Sequence, residues 1–121
     1  LNKKNIKIIS NIIHPFVRKN LKKFLKKNIK KKFVVLDIPL LIENRLYKKT
    51  DILIYINTPQ KTINRRLKKR GNYNKKILNI LESQQLKKNK KIGLCKFVIT
   101  NSLNKNNIYK KIKKIKKEIN D

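Results

Sequence analysis

The sequence has little of what most catalytic and structural sites are built from. Its 121 residues include one Cys, one His, two Gly, three Pro and six acidic side chains, and Met, Trp and Ala are absent. The single Cys95 excludes an internal disulfide, and no His or Cys spacing matches a zinc site. Neither Gly71 nor Gly93 lies in a Gly-x-x-x-x-Gly-Lys-Ser/Thr sequence, so residues 1–121 contain no loop of the kind that cradles nucleotide phosphates.

Long apolar runs are also missing. No segment approaches the ~20 apolar residues that a membrane-spanning helix needs, and no signal peptide is visible. A lone cysteine fits a reducing compartment, so we expect a cytoplasmic protein without a membrane partner. Because the sequence begins at Leu1 and has no Met, we expect it to be a fragment of a longer chain.

Negative charge is scarce, and the formal net charge is +29. Such a balance is typical of proteins that bind nucleic acid, because basic side chains release counterions from phosphate. Here, however, the lysines are spread along the whole chain, and Lys, Asn and Ile share A/T-rich codons. This distribution indicates compositional bias and a solvated surface, so we expect no nucleic-acid partner. A basic nucleic-acid-binding module stays the alternative function, although the few aromatic residues form no stacking platform.

The most apolar stretch of the chain is 33–43. Four apolar residues run into Asp37, which predicts a strand buried on both faces that ends at a carboxylate. Pro39 cannot donate a ladder hydrogen bond and should end the strand. Ligands of open α/β sheets bind at the carboxyl ends of strands, and P-loop proteins hold Mg²⁺ there with Asp. Asp37 is therefore a candidate Mg²⁺ ligand, with helix or strand capping as the other interpretation.

Other apolar patterns predict further helices and strands. Thr58 and Pro59 are suited to the N-cap and first position of a helix that Gly71 ends. Strands that alternate with helices predict an α/β fold with a parallel sheet. The predicted helices are 4–13, 15–30, 59–70, one or two within 75–91, and 105–119, and the predicted strands are 33–37, 51–56 and 97–99.

Two further places are candidates for chemistry. Arg66 and Arg70 are spaced i, i+4 on one predicted helix, where two guanidinium groups could grip phosphate oxygens. The alternative is a solvated helix face. Asn101 follows the last predicted strand, where it could hold an adenine or simply form a turn. The lone His14, before Pro15, is more typical of a structural residue than of a catalytic one.

Taken in order, these motifs resemble the C-terminal part of dephospho-CoA kinase, the last enzyme of coenzyme A biosynthesis. The resemblance covers essentially the whole chain, and the Asp-Ile-Pro-Leu-Leu-x-Glu sequence is its most specific part. The His-Pro motif and the Pro-Leu-Leu loop count against a related nucleotide kinase such as adenylate kinase. The matching segments are His14-Pro15-Phe16-Val17-Arg18, Asp37-Ile38-Pro39-Leu40-Leu41-Ile42-Glu43, the strand that opens at Asp51, Arg66-Leu67-Lys68-Lys69-Arg70, Gln84 with Lys90, and Phe97-Val98-Ile99-Thr100-Asn101.

The resemblance implies a three-layer parallel sheet of the P-loop nucleoside and nucleotide kinase type, here incomplete at the N-terminus. It implies transfer of the γ-phosphoryl group of ATP to the ribose 3′-hydroxyl of dephospho-CoA, with Mg²⁺. Asp37 would then be catalytic and lie near the metal, through water, and Arg66 and Arg70 would be catalytic on a mobile lid that also contacts ATP. Asn101 would lie beside the adenine. The residues implied on the acceptor side are His14, Arg18, Pro39, Leu40, Leu41 and Glu43.

The resemblance also divides the chain and sets an expectation about activity. Residues 1–121 would be a single partial kinase domain: a helical acceptor-side region (1–32), core strands with the acceptor loop (33–58), a helical lid region (59–91) and the last strand with the C-terminal helix (92–121). The P-loop and catalytic aspartate of the family precede its His-Pro turn, so we expect residues 1–121 alone to be inactive. The chain departs from the family at Ile63, where the lid usually has Gln, and at Cys95-Lys96, where Ala-Asp is usual.

Overall fold

A computed structural model describes residues 2–101 and 104–120. The structure confirms a mixed chain of helices with a small parallel sheet. None of the helices among the described residues has both the length and the apolarity to cross a bilayer. In chain order the elements are α1 (Lys3–Lys27), β1 (Ile54–Asn57), α2 (Gln60–Lys68), α3 (Lys75–Ser83), α4 (Lys88–Leu94), β2 (Phe97–Thr100) and α5 (Lys105–Asn120).

The first helix runs without a break through Pro15, so the prediction of two helices separated at His14-Pro15 is wrong. Asn2 caps the helix by accepting a hydrogen bond from the backbone N–H of Asn5 at 2.8 Å. A proline inside a helix removes one hydrogen bond to the preceding turn. Since Val17 and Leu21 continue the apolar spacing beyond the proline, the 25-residue helix retains one continuous half-buried stripe across it.

The predicted core strand at 33–37 is absent, because this segment lies outside any strand. Val35 is 86% exposed and Phe33 41% exposed, so the apolar run is not covered by the residues described here. A β-strand forms only where its N–H and C=O groups pair with a neighbour. The sheet of the described chain contains two strands, β1 and β2, and neither pairs with this segment.

The two strands pair in parallel, with Ile54 opposite Phe97 and Asn57 opposite Thr100. Ile99 in β2 is 5% exposed and forms the buried core. Helix α5 packs against β2. The strand predicted at 51–56 is observed as the shorter β1, Ile54–Asn57, and Ile54 and Ile56 are 41% and 53% exposed. A two-stranded sheet has too few neighbours to cover both of its faces.

The later helices agree with the predicted positions but differ at their ends. Helix α2 begins after Pro59, which occupies the cap position predicted for Thr58, and it ends at Lys68. The predicted helical region 75–91 contains α3 and α4, and α4 continues to Leu94. Helix α5 begins after Asn104, whose side chain accepts hydrogen bonds from the backbone N–H groups of Asn106 and Asn107 at 3.0 and 3.3 Å.

The chain divides into two compact units. The first contains the chain up to Lys48 together with Lys76–Gln85, and it therefore includes α1, the 33–45 segment and most of α3. The second contains Lys49–Lys75 and the chain from Leu86 onwards, which includes the parallel strand pair with α2, α4 and α5.

Candidate functional site

Asp37 lies in the first unit, in the irregular segment that follows α1, and its side chain is exposed. The part of the chain that the structure describes contains no group of three His, Cys, Asp or Glu residues suited to a metal ion. Mg²⁺ is usually bound through one or two carboxylates together with waters and substrate phosphates, not in an all-protein cage. A single solvent-accessible carboxylate therefore fits a Mg²⁺ ion that is carried by nucleotide phosphates.

The residues after Asp37 form a series of tight turns, which we call loop 39–45. Within it the backbone N–H of Asn44 donates to the carbonyl of Leu40 at 2.9 Å, and the N–H of Arg45 donates to the carbonyl of Ile42 at 3.1 Å. Just beyond the loop, the N–H of Leu46 donates to the carbonyl of Leu41 at 2.9 Å. These bonds satisfy the backbone locally, so the loop needs no strand neighbour to hold its shape.

Two residues of this loop have left-handed backbone conformations. Leu40 has φ 54° and Arg45 has φ 50°, and neither is a glycine or asparagine. Pro39 and Leu40 are exposed, whereas Leu41 and Glu43 are half-buried. The loop therefore exposes apolar side chains at the second and third positions after Asp37.

A side chain of helix α1 reaches this loop. The guanidinium Nη2 of Arg18 donates to the backbone carbonyl of Asn44 at 2.9 Å, across 26 positions of sequence. His14 lies one turn earlier on the same helix and is half-buried. The structure thus brings the His-Pro-x-Val-Arg motif and the Pro-Leu-Leu loop together through Arg18, although the motif is helical and not a turn. Sequence reasoning missed Asn44, because a backbone carbonyl acceptor has no signature in the side-chain pattern.

Arg66 and Arg70 lie in the second unit and do not share one helix. Helix α2 ends at Lys68, so Arg66 is helical and Arg70 lies two residues beyond the end. The N–H of Arg70 donates to the carbonyl of Leu67 at 3.1 Å, and the carbonyl of Arg70 accepts from the N–H of Tyr73 at 3.1 Å. These shorter-range bonds replace the helical ladder before Gly71, so the prediction of one helix that carries both arginines is wrong.

A shallow cavity of about 500 Å³ lies along α2, and neither Arg66 nor Arg70 lines it. Four cationic side chains and one amide surround it, with no acidic side chain, so it attracts anions. Their spacing of three and four residues is visible in the sequence, but in a lysine-rich chain it does not stand out. The residues that line the cavity are Lys61, Asn64, Arg65, Lys68 and Lys69.

Asn101 follows β2 at the carboxyl end of the strand pair. Its backbone N–H donates to the carbonyl of Asn57, the last residue of β1, at 2.8 Å. Asn101 is half-buried. Its place at the end of a parallel strand is the one that the sequence predicted, and its role beside an adenine stays a prediction.

Cys95 lies between α4 and β2 and is a free thiol. Burial raises the pKa of the Cys95 thiol above its ordinary value of 9.0. Because the thiolate is the nucleophilic form, this shift lowers the nucleophilic fraction of Cys95 at neutral pH.

Three comparisons with related sequences bear on this arrangement. A family model described as dephospho-CoA kinase matches residues 1–107. The dephospho-CoA kinase of Wolbachia pipientis wMel is 29% identical over 118 residues, which are 96% of this chain and 60% of that relative. The enzyme of the same name from Ehrlichia canis (strain Jake) is 33% identical over 113 residues, 92% of this chain and 56% of the relative. The chain therefore spans less than two thirds of the length of these relatives.

Proposed function

The chain belongs to the dephospho-CoA kinase family, and from that premise we propose that it forms part of an enzyme that phosphorylates dephospho-CoA. The reaction transfers the γ-phosphoryl group of ATP to the ribose 3′-hydroxyl, the final step of coenzyme A biosynthesis. The observation that carries this proposal is the family match over residues 1–107, which includes Asp37, loop 39–45, the two lid arginines and Asn101.

Asp37 is the proposed metal-side residue. Its exposed carboxylate can bind a Mg²⁺ ion through water, with ATP phosphates completing the coordination. When bound, Mg²⁺ neutralises charge that develops on the phosphates during transfer. Asp37 would hold the Mg²⁺ ion in position relative to loop 39–45, which follows Asp37 in the chain.

Loop 39–45 is the proposed acceptor surface. Pro39 and Leu40 supply exposed apolar area, and Leu41 and Glu43 lie half-buried behind them. Such a surface can bind the apolar and hydrogen-bonding parts of a ribose and its pantetheine arm while it excludes water from the 3′-hydroxyl. His14 and Arg18 belong to the same unit and complete the proposed acceptor side.

The proposed ATP side lies in the second unit. Arg66 at the end of α2 and Arg70 in the following turn are exposed cations that can contact the transferring phosphoryl group when the lid closes. Asn101, at the carboxyl end of β2, is proposed to lie beside the adenine.

We propose that the complete domain is a three-layer parallel sheet of the P-loop kinase type. The phosphate-cradling loop and the catalytic base would then lie in a segment outside residues 1–121, since this chain spans 60% or less of its relatives and lacks the loop motif. Two further statements stay predictions: that residues 1–121 are a single partial domain whose phosphate-cradling half lies elsewhere, and that the protein is cytoplasmic.

The decisive experiment uses the complete protein with ATP and Mg²⁺, and follows coenzyme A formation by mass spectrometry. We expect dephospho-CoA to gain one phosphoryl group at the ribose 3′-position, and we expect AMP, the adenylate kinase substrate, not to be phosphorylated. Binding to duplex and single-stranded nucleic acid is measured in parallel over a salt series. Salt-sensitive nucleic-acid binding without formation of coenzyme A would contradict the proposal and favour the basic binding module.

A further inference from the structure

Loop 39–45 contains two backbone conformations that need support. Leu40 and Arg45 have φ of 54° and 50°, a region in which the Cβ of an ordinary residue is crowded. Such conformations persist where the surrounding structure holds them, and they concentrate at ligand-binding sites.

The internal hydrogen bonds of the loop are all short-range. They join Asn44 to Leu40 and Arg45 to Ile42, all within four residues, and none of them ties the loop to another element. The carbonyl of Asn44 lies between the two left-handed residues and accepts from Arg18 Nη2 of α1 at 2.9 Å. This bond connects the loop to the longest helix of the chain.

We propose that Arg18 is a positioning residue, which acts on the acceptor through loop 39–45 and not by contacting substrate. The inference rests on the proposed function for what the loop binds. The family resemblance implied that Arg18 lies on the acceptor side, whereas in the structure its guanidinium donates to a backbone carbonyl.

The choice of arginine supports this role. The chain has five Arg among 35 basic residues, so a lysine is the common solution wherever only a positive charge is needed. A planar guanidinium offers several N–H groups in a fixed fork and can hold a carbonyl in one geometry, whereas an ammonium is a rotating point charge. Asn44 is half-buried, and removal of the donor would leave its carbonyl without this bond.

The test compares Arg18→Ala, Arg18→Lys and Lys19→Ala in the complete protein. Lys19 is the adjacent exposed residue of α1, so its variant removes the same charge without touching the loop bond. Steady-state kinetics give KM for dephospho-CoA and for ATP, and amide hydrogen exchange reports the loop directly through the N–H groups of Asn44, Arg45 and Leu46.

We expect Arg18→Ala to raise KM for dephospho-CoA about tenfold, the size expected for loss of one charge-assisted hydrogen bond. KM for ATP should stay within about twofold of the wild-type value. Hydrogen exchange at the N–H groups of Asn44, Arg45 and Leu46 should become about ten times faster. Arg18→Lys should recover part of both effects, and Lys19→Ala should change neither.

A raised KM with unchanged exchange at the loop amides would overturn the proposal, because Arg18 would then contact the substrate itself. Unchanged KM and unchanged exchange would also overturn it. If the wild-type protein makes no coenzyme A, the proposed function fails, yet faster exchange in Arg18→Ala would still establish that this arginine holds the loop.

Discussion

Two segments of the chain have nearly the same sequence pattern and reach different structures. Residues 32–37 read Lys-Phe-Val-Val-Leu-Asp, and residues 96–101 read Lys-Phe-Val-Ile-Thr-Asn. Each begins with a lysine Nζ over the ring of the following phenylalanine, at 5.9 Å in the first segment and 5.5 Å in the second. Yet the first is irregular, and the second contains strand β2.

The difference between these segments lies in their neighbours. The third apolar position is 86% exposed at Val35 and 5% exposed at Ile99. Strand β2 has a parallel partner in β1 and a helix, α5, against it, whereas the first segment pairs with no strand of the described chain. The two segments therefore have a similar propensity to form a strand, but only the segment that pairs with a neighbouring strand becomes one.

The largest effect should come from Asp37→Asn in the complete protein, measured as kcat for coenzyme A formation. Loss of a charge that orients the metal and phosphates should lower kcat by about 10²–10³-fold, the range seen when one electrostatic stabiliser of a transition state is removed. Because Asp37 is exposed, the urea midpoint should not move. Unchanged kcat would show that Asp37 has no role in phosphoryl transfer, and the exposure of the first segment would then have no functional explanation.

Ile99→Ala and Val35→Ala test the comparison itself. Loss of the buried Ile99 side chain should lower the free energy of unfolding by about 2–4 kcal/mol, because it leaves a cavity in the core. Because Val35 is exposed, Val35→Ala should change the free energy of unfolding by no more than about 0.5 kcal/mol. Urea denaturation followed by circular dichroism measures both variants. Equal losses would mean that the first segment is packed as a strand in the complete protein.

Arg70→Ala extends the comparison to the functional part of the second unit. If Arg70 contacts the transferring phosphoryl group, its loss should lower kcat by about 10- to 100-fold, equivalent to one charge-assisted hydrogen bond. Lys69→Ala is the control, since it removes the neighbouring charge that lines the cavity along α2. If Arg70→Ala has wild-type kinetics, or if the two variants lower kcat equally, Arg70 has no specific contact with the phosphoryl group and belongs to the solvated surface.

Leu40→Gly and Leu41→Gly test the backbone conformation of loop 39–45, which follows the first segment. Glycine adopts a positive φ without strain, so Leu40→Gly should stay within about 0.5 kcal/mol of the original stability despite the extra freedom of the unfolded chain. Leu41 is half-buried and has no left-handed backbone, so Leu41→Gly should cost about 1–2 kcal/mol. Urea denaturation measures the stability of both variants. A larger loss of stability in Leu40→Gly than in Leu41→Gly would contradict the left-handed conformation of Leu40.

The smallest effect concerns Cys95, next to the second segment. Burial raises the pKa of its thiol above 9.0, so the unfolded chain loses this proton at lower pH than the folded chain. Stability from this group is therefore complete below pH 9.0 and declines as pH rises through the folded pKa. The rate of iodoacetamide alkylation against pH should have a midpoint above 9.0 in the folded protein and near 9.0 in urea. Coincident midpoints would show an exposed thiol.

Much of the second unit could be predicted from local pattern. The positions of β2 and α5 follow from an apolar run and from isoleucines at helical spacing, and Asn101 was placed correctly at a strand end. In the first unit, whole predicted elements differ from the structure. The apolar run at 33–37 predicts a strand and Pro15 predicts a helix start, but the structure has neither, because these local patterns do not encode which distant segments are present as neighbours.

The sequence by itself determined the family, through the order and spacing of its motifs, and it determined which segments could become helices or strands. Tertiary structure alone decided that Ile99 is buried and Val35 is not, and that Arg18 donates to the carbonyl of Asn44. The physical reason is range. Side-chain periodicity encodes interactions within a few residues, whereas burial, strand pairing and a hydrogen bond across 26 positions depend on segments that are distant in the chain.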